Sequence, residues 1–384
     1  MREPGNAVIS KGLLVHILVS AASGGCERAC DHLCSYGSEV DHHIVVLGDE
    51  GVMSQVWANS GATVEHLHML GRSRFALAKA LRGRLSMLNP DAVIAWHGMA
   101  ELPVILHSIP RGCRHVGVHG GNPASNLSSL TDLRYLFTEG LVFPRRCNPV
   151  YLCCSQYVAD TFKRSYYLNR FQTKVVANGV YDVPDSLKHI PRIIPTNGSK
   201  VVIGMLARLD LIKDHATVIR AFAEIKREFP CAVLELAGDG DQAQNLRALT
   251  EALGLVDSVH FLGTVRQVTE VIRKWDVCVY ATTHNEGFGI ALAEGLMAGL
   301  PTVVTDVGPI REVCGNVEGA TVIYVKPGSS KQLAEAVTRL IPDLKSRQAL
   351  SLMARQHAMR HLSGRTFAKR YIQLLFPAII FADA

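Results

Sequence analysis

Glu286 and Glu294, separated by seven residues, are the pair of side chains in this sequence best placed to do chemistry. Glu286 stands in a glycine-rich loop, HNEGFG, that follows an apolar strand-like run, and Glu294 lies on the helix-like stretch after it. This strand–loop–helix order presents backbone N–H groups and the positive end of a helix dipole to the loop, which predicts an anion site. Because carboxylates repel phosphate, we expect the pair to accept hydrogen bonds from sugar hydroxyls on either side of a diphosphate. Two solvated carboxylates at a helix end are the alternative.

The elements that must position this pair are short β-branched runs that alternate with helix-length amphipathic stretches along most of the chain. Continuous apolar strands separated by helices predict parallel sheets that are covered on both faces. The predicted strands are residues 13–20, 42–48, 92–98, 115–120, 151–155, 174–180, 201–206, 232–238, 259–263, 277–282, 301–306 and 321–325.

The chain has 384 residues, which is too long for one ordinary hydrophobic core and predicts two domains. The alternation breaks at 182–200, where Pro184, Pro191 and Pro195 predict an interdomain linker. We therefore expect two Rossmann-like, doubly wound α/β domains that face each other across a cleft. The predicted bounds are 1–185 for the first domain, 186–200 for the linker, 201–363 for the second domain and 364–384 for a helical tail that packs back on the first.

Composition excludes several classes of protein. Hydrophobic residues make up 48% of the chain, which excludes intrinsic disorder, and the formal net charge of +6 is too small to indicate nucleic-acid binding. No run reaches the roughly 18 apolar residues that cross a bilayer. Without a signal-peptide pattern before the first strand, we expect a cytoplasmic protein. Cys26, Cys30 and Cys34 would share one helical face with only His32 nearby, so packing is favoured over zinc binding.

The segment EGFGIALAEGLMAGLPTVV, residues 286–304, resembles the signature of the retaining GT-B glycosyltransferases of family GT4, in which two glutamates have the same spacing. Gly295 and Met297 depart from it, since alanine is usual at both positions. The resemblance continues through residues 203–222, where Arg208 and Lys213 match two cations that contact the donor diphosphate. A guanidinium and an ammonium after one strand would neutralise two phosphate charges.

The resemblance also covers other parts of the chain. Residues 236–265 continue the pattern, and Thr264 and Val265 match positions that meet the nucleobase. In SGGCERA, residues 23–29, Gly24 and Gly25 match a loop that borders the donor phosphates. His119 matches a histidine near the transferred sugar, with a satisfied core histidine as the alternative.

The resemblance implies transfer of a sugar from a UDP- or GDP-sugar to an acceptor hydroxyl with retention of configuration, in polysaccharide or glycolipid assembly. The first domain would face a glycan or lipid-linked acceptor, and the second would bind the nucleotide sugar. No cofactor or metal is expected, because two cations and a helix dipole would replace the metal. The catalytic residues would be Glu286, Arg208, Lys213 and His119. Arg208, Lys213 and Glu286 would also bind the donor, together with Gly24, Gly25, Thr264, Val265, Gly287, Phe288, Gly289, Ile290 and Glu294.

Three other functions can be weighed against this pattern. A sugar-nucleotide 2-epimerase and a non-catalytic nucleotide-sugar-binding protein would share the architecture. A nicotinamide oxidoreductase is disfavoured, because the first strand is followed by SGGCER and not by G-x-G-x-x-G.

The basic stretch 72–84 is interpreted as a solvated helix, with peripheral docking on the inner face of a membrane as the alternative.

Overall fold

The computed structural model describes residues 11–96, 100–123, 129–165, 167–194, 200–265, 267–315 and 321–379. The chain forms two compact units, and each contains more than one stretch of sequence. The first unit consists of Met1–Cys154, Ala159–Val176 and Phe367–Ala384, and the second of Ser155–Val158 and Ala177–Thr366.

The first unit is built on a seven-stranded sheet in which all neighbouring strands are parallel. The strand order is β3-β2-β1-β4-β5-β6-β7. The strands are β1 (Leu13–Leu18), β2 (Asp41–Val46), β3 (Thr63–His66), β4 (Ala92–Trp96), β5 (His115–Gly120), β6 (Val150–Cys153) and β7 (Gln172–Val175).

The helices between these strands give the alternation that the sequence predicts. They are α1 (Gly25–Tyr36), α2 (Val52–Asn59), α3 (Arg74–Leu88), α4 (Leu102–Ser108), α5 (Ser129–Phe137) with a π-helical turn at Thr138–Val142, and α6 (Gln156–Phe162). In α3, Leu77, Leu81 and Leu85 are buried at four-residue spacing, so this basic helix packs its apolar face inward.

The second unit has a six-stranded parallel sheet in the order β10-β9-β8-β11-β12-β13. Its strands are β8 (Val201–Leu206), β9 (Ala232–Ala237), β10 (Val259–Gly263), β11 (Val277–Tyr280), β12 (Thr302–Thr305) and β13 (Ile323–Val325). Its helices are α7 (His215–Glu228), α8 (Ala243–Ala252), α9 (Val268–Ile272), α10 (Ile290–Ala298), α11 (Gly308–Cys314), α12 (Ser330–Leu340) and α13 (Leu344–His361). The last helix, α14 (Gly364–Leu375), belongs to the first unit from Phe367 onward.

Each sheet reverses its strand order once, at β1 and β4 in the first unit and at β8 and β11 in the second. Loops that leave the carboxyl ends of such a strand pair diverge and open a crevice, which is where ligands of doubly wound folds bind. The doubly wound α/β architecture that the sequence predicts is therefore confirmed in both units. The reversal in the second unit brings the loop after β8 next to the loop after β11.

The division between the units falls after Val176, whereas the sequence predicts a linker at 186–200. Residues 177–194 pack on the second unit: His189 N–H donates to the Ala298 carbonyl at 2.7 Å, and Arg192 pairs with the buried Asp276 at 2.8 Å. The prolines interrupt regular structure here without detaching the segment. Residues 195–199 of the predicted linker lie outside the described ranges, as do 97–98 of one predicted strand, 1–10 and 380–384.

The helical tail contributes to the core of the first unit. Tyr371 is fully buried, and its ring stacks on that of Trp96 with centroids 5.9 Å apart. Phe376 lies so close to Gly12 that a Cβ at that glycine would come within 2.6 Å of its ring. Among the described residues, no helix is both long and apolar enough to cross a membrane.

Candidate functional site

The predicted glutamate loop runs between β11 and α10. The strand ends at Tyr280, and the helix begins at Ile290 directly after Gly289, which has a φ of +93°. This left-handed conformation is accessible to glycine at little cost and turns the chain sharply into the helix. Gly299 ends the helix in the same conformation.

The carboxylate of Glu286 is buried and surrounded by hydrogen-bond donors. Its Oε1 accepts from the backbone N–H groups of Gly287 at 3.1 Å and Phe288 at 3.4 Å. Its Oε2 accepts from the Tyr280 hydroxyl at 2.8 Å and forms an ion pair with Lys213. The structure thus brings together Glu286 and Lys213, which the sequence placed 73 residues apart. Two amides that we expected to point toward a phosphate point instead to this carboxylate.

Lys213 reaches Glu286 because the loops after β8 and β11 are hydrogen-bonded to each other. Thr283 N–H and the Thr282 hydroxyl donate to the Ile212 carbonyl, at 2.9 and 3.0 Å, and Asp214 N–H donates to the Ala281 carbonyl at 3.1 Å. These bonds fix the backbone on both sides of Lys213. The sheet reversal therefore positions the backbone of Lys213, and its ammonium is held by Tyr280 and Glu286.

Burial changes the acid–base properties of the site. The pKa of Lys213 is lowered from its ordinary value to about 7, chiefly by desolvation, with Asp210 opposing the change and the Arg208 guanidinium adding to it. Burial also raises the pKa of Tyr280 well above its ordinary value, with Asp210 adding to the effect. Tyr280 therefore stays protonated. Its hydroxyl donates a hydrogen bond to Glu286, while its oxygen accepts one from Lys213 Nζ at 2.7 Å.

Arg208 follows β8 in the same loop as Lys213, but the structure places its side chain differently. The side chain is 69% exposed and pairs with Asp210 at 2.7 Å. The backbone next to it is fixed by the loop after β9, where a Cβ at Gly238 would lie 2.0 Å from the Ala207 carbonyl oxygen. The backbone of Arg208 is thus held in place while its guanidinium faces solvent. This exposure leaves the guanidinium accessible to a charged ligand that enters from solution.

The remaining predicted donor residues of the second unit lie around this loop. Glu294 is half-buried on the second turn of α10, and Ile290 opens that helix. The N–H groups of the first turn of a helix have no partner within the helix, so those at Ile290 and Ala291 suit an anionic oxygen. Thr264 and Val265 follow β10, the edge strand beyond β9.

Three predicted residues belong to the first unit. Gly24 is the residue before α1, and Gly25 is the first residue of that helix, directly beyond β1. His119 is buried in β5, where its Nδ1 lies 2.6 Å from the Tyr371 hydroxyl and its ring 4.8 Å from that of Trp96. The assignment of His119 and both glycines to donor or sugar binding stays a prediction.

A second cluster of potential ligand groups lies in the core of the first unit. One donor atom each from His16, Cys34 and His42 falls within 4.8 Å of the others. Trp96 Nε1–H donates to His16 Nδ1 at 3.0 Å, so a neutral His16 carries its proton on Nε2 and donates it to His42 Nδ1 at 2.9 Å. His42 in turn donates from Nε2 to the Gly37 carbonyl at 2.8 Å. Because these bonds engage both nitrogens of each ring, the arrangement fits a hydrogen-bonded chain of histidines better than a metal site.

Tyr280 is a site residue that is not among those predicted from the sequence, although the sequence contains a usable signal for it. Tyr280 is the last residue of a buried strand whose carboxyl end enters the glutamate loop. A polar hydroxyl at such a position is well placed to serve a ligand site. In the predicted strand 277–282, Tyr280 is counted only as one of the apolar residues.

Part of the second unit is similar to a known protein family. Residues 188–357 match the family described as glycosyl transferases group 1. The chain is 33% identical over 167 residues to an exopolysaccharide phosphotransferase of Streptomyces coelicolor, covering 41% of this chain and 17% of that protein. It is 31% identical over 160 residues to the putative glycosyltransferase EpsD of Bacillus subtilis, covering 42% of this chain and 41% of EpsD. The matches thus span less than half the length of these relatives.

Solved structures agree in fold over almost the whole chain. HepE of Anabaena, in complex with UDP and glucose, superimposes with a TM-score of 0.78 over 95% of this chain and 99% of HepE, at 19% identity. The pneumococcal O-GlcNAc transferase GtfA, in complex with UDP and GlcNAc, gives a TM-score of 0.71 over 95% of this chain and 98% of GtfA, at 12% identity. At these identities the likeness establishes the fold, which is the predicted GT-B arrangement of two Rossmann-like domains.

Proposed function

We propose that the protein transfers a sugar from a nucleoside-diphosphate donor to an acceptor hydroxyl, and the premise is the match of residues 188–357 to the family described as glycosyl transferases group 1. The observation that carries the proposal is the convergence of the Lys213 ammonium, the Tyr280 hydroxyl and two loop amides on the Glu286 carboxylate. A buried carboxylate held by such donors at a helix N-terminus has the chemistry to bind sugar hydroxyls next to a diphosphate.

In the proposed reaction the bond between the anomeric carbon and the β-phosphate oxygen breaks, and negative charge grows on that phosphate. Lys213 and Arg208 would stabilise this charge, together with the amides at the start of α10. The acceptor oxygen would bond to the anomeric carbon on the face that the phosphate leaves, so configuration is retained. Its proton would pass to a leaving phosphate oxygen, and no protein base is then required.

The roles of the two glutamates differ in this proposal. Glu286 would accept hydrogen bonds from hydroxyls of the donor sugar, since its carboxylate is already fixed in the loop. Glu294, one turn into α10, would accept from the ribose hydroxyls. His119, Gly24 and Gly25 would serve the donor and acceptor from the first unit. The positive groups compensate two phosphate charges in this scheme, and the nucleotide sugar is a co-substrate.

Polysaccharide or glycolipid assembly is the proposed context, supported by the similarity to an exopolysaccharide phosphotransferase over 41% of this chain. A lipid-linked acceptor would require contact with the inner face of a membrane. Exposed apolar side chains in the first unit support such contact: Phe75 is 68% exposed, Phe137 61% and Leu141 73%. Flotation with anionic liposomes tests this membrane contact, and a Phe75→Ser, Phe137→Ser double variant is the comparison. If the variant floats as well as the wild type, these side chains do not form the membrane contact.

The decisive experiment is a donor screen that detects released nucleoside diphosphate from UDP-, GDP- and ADP-sugars, with and without candidate acceptors. Release that depends on an acceptor supports transfer. An epimerised sugar formed from the nucleotide sugar alone, detected by NMR, would support a 2-epimerase. Binding of a nucleotide sugar without turnover would support a non-catalytic binding protein. Absence of both binding and turnover across the screen contradicts the proposal.

A further inference from the structure

Two carbonyl groups of the glutamate loop are held by hydroxyls from a distant part of the sequence. The Ser155 hydroxyl donates to the Gly287 carbonyl at 2.8 Å, and the Tyr157 hydroxyl donates to the His284 carbonyl at 2.8 Å. Ser155 and Tyr157 belong to Ser155–Val158, the short stretch that is part of the second unit although its neighbours in sequence belong to the first. The two carbonyls lie on either side of Glu286.

The bond from Ser155 fixes the orientation of one peptide plane. In a trans peptide the C=O and the N–H point in opposite directions. With the Gly287 carbonyl held by Ser155, the following N–H, that of Phe288, points away from Ser155 and toward Glu286 Oε1 at 3.4 Å. Ser155 is itself buried, and its oxygen also accepts from Val158 N–H at 3.2 Å, so its hydroxyl has little freedom.

The hydroxyl of Tyr157 acts at the other end of the loop. Its ring packs against Gly308, where a Cβ would come within 2.7 Å of the ring. Glu312 holds the backbone of the stretch, because its carboxylate accepts from the N–H groups of Gln156 at 2.5 Å and Tyr157 at 2.7 Å. A carboxylate at the start of a helix is favourably placed against the helix dipole. The two hydroxyls are therefore presented to the loop by an anchored backbone.

We propose that Ser155 and Tyr157 are positioning residues of the donor site, which hold the loop 284–288 so that its amides and Glu286 keep the geometry needed for transfer. This inference rests on the proposed glycosyltransferase function. Neither residue is assigned a contact with the substrate. Both act through the loop, Ser155 on the Gly287–Phe288 peptide and Tyr157 on the backbone before Glu286.

The variants Tyr157→Phe and Ser155→Ala each remove one hydroxyl. Tyr157→Phe keeps the ring against Gly308, and Ser155→Thr keeps a hydroxyl and serves as the conservative rescue. Matched controls come from the same unit: Tyr324→Phe removes a hydroxyl that donates to the Gly315 carbonyl at 3.2 Å, and Ser329→Ala removes the cap that accepts from Gln332 N–H in α12.

The first readout is steady-state kinetics with the donor identified by the screen. We expect Tyr157→Phe and Ser155→Ala to lower kcat by roughly tenfold each, with a smaller change in the acceptor KM. Ser155→Thr should restore kcat to within about twofold of the wild type. The control variants should keep wild-type kcat even if their melting temperatures fall as much as those of Tyr157→Phe and Ser155→Ala. Wild-type kcat in both test variants, or an equal loss in the controls, would overturn the inference.

The second readout is amide hydrogen exchange of peptides that cover residues 284–290, measured on the full chain without substrate. We expect faster exchange in Tyr157→Phe and Ser155→Ala and unchanged exchange in Tyr324→Phe and Ser329→Ala. This measurement distinguishes the two proposals. If the wild type neither binds nor turns over any donor, the proposed function fails, while the exchange data still decide whether these hydroxyls hold the loop. Unchanged exchange in both test variants would contradict the positioning role.

Discussion

The Tyr280 hydroxyl lies 2.8 Å from Glu286 Oε2 and donates a hydrogen bond to it. The Tyr280 oxygen also accepts a hydrogen bond from Lys213 Nζ, so one phenol is bonded to both members of the Lys213–Glu286 ion pair. Because burial keeps this phenol protonated, it can donate to the carboxylate and accept from the ammonium at the same time. The separation of the two charges is therefore fixed by a third side chain as well as by their own attraction.

Tyr280→Phe should lower kcat/KM for the donor by about tenfold, the usual effect of losing a hydrogen bond to a charged group. The ring would remain in place, but Lys213 and Glu286 would lose their shared partner. Steady-state kinetics measure the effect, with Tyr324→Phe as a control whose hydroxyl bonds to the Gly315 carbonyl. Equal kcat/KM in Tyr280→Phe and the wild type would contradict a role for this hydroxyl.

The lowered pKa of Lys213 predicts a pH dependence. Its ammonium loses a proton as the pH rises through about 7, and a neutral amine no longer stabilises the leaving phosphate. The charged groups that face it are Glu286, Asp210 and Arg208, with Tyr280 as a neutral partner. We therefore expect kcat/KM to fall as the pH rises through about 7.

Lys213→Arg provides the control for this pH profile, since a guanidinium keeps its charge throughout the range. The variant should be less active because its fork-shaped group fits the site poorly, but its profile should lack the fall near pH 7. A flat wild-type profile between pH 6 and 9, or the same fall in Lys213→Arg, would show that another group titrates.

Arg208→Ala should separate activity from stability. The guanidinium is mostly exposed, and its pair with Asp210 lies near the surface, where such pairs contribute about 0–1 kcal/mol to the free energy of unfolding. We expect kcat to fall by about a hundredfold with almost no change in the melting temperature. Arg273→Ala, which removes another exposed pair in the same unit, is the control and should keep full activity. A wild-type kcat in Arg208→Ala would remove Arg208 from the proposed site.

Glu294→Ala should raise the donor KM by roughly tenfold and leave kcat within a fewfold, because its proposed contact is with the ribose and not with the reacting carbon. Isothermal titration with the nucleoside diphosphate product checks the same contact without turnover. Glu251→Ala, at an exposed position of α8, is the matched control. Unchanged affinity for both donor and product would contradict the role of Glu294.

Much of the fold could be predicted because its strands are buried on both faces. All residues of β8 are buried, and the strand VVIGML was predicted with the observed bounds. The strand β3 was missed because it is a four-residue edge strand whose side chains are only partly buried, so the sequence TVEH carries no continuous apolar run.

The glutamate loop was predicted because its chemistry is local in sequence. Strand, glycines, glutamates and helix all fall within residues 277–299, and their order alone indicates the helix N-terminus. The contacts of Ser155 and Tyr157 with this loop were not predictable in the same way. They join residues more than 120 positions apart, and neither SQYVAD nor HNEGFG contains a pattern that indicates the other.

The discontinuity of the second unit affects how it can be produced alone. A recombinant fragment that starts at Ala177 would include the family domain and the glutamate loop, yet it would lack Ser155 and Tyr157. The carbonyls of His284 and Gly287 would then meet water in place of these hydroxyls. We expect the nucleotide affinity of such a truncation to be lower than that of the full chain, and joining residues Ser155–Val158 to the fragment through a linker should recover part of the difference.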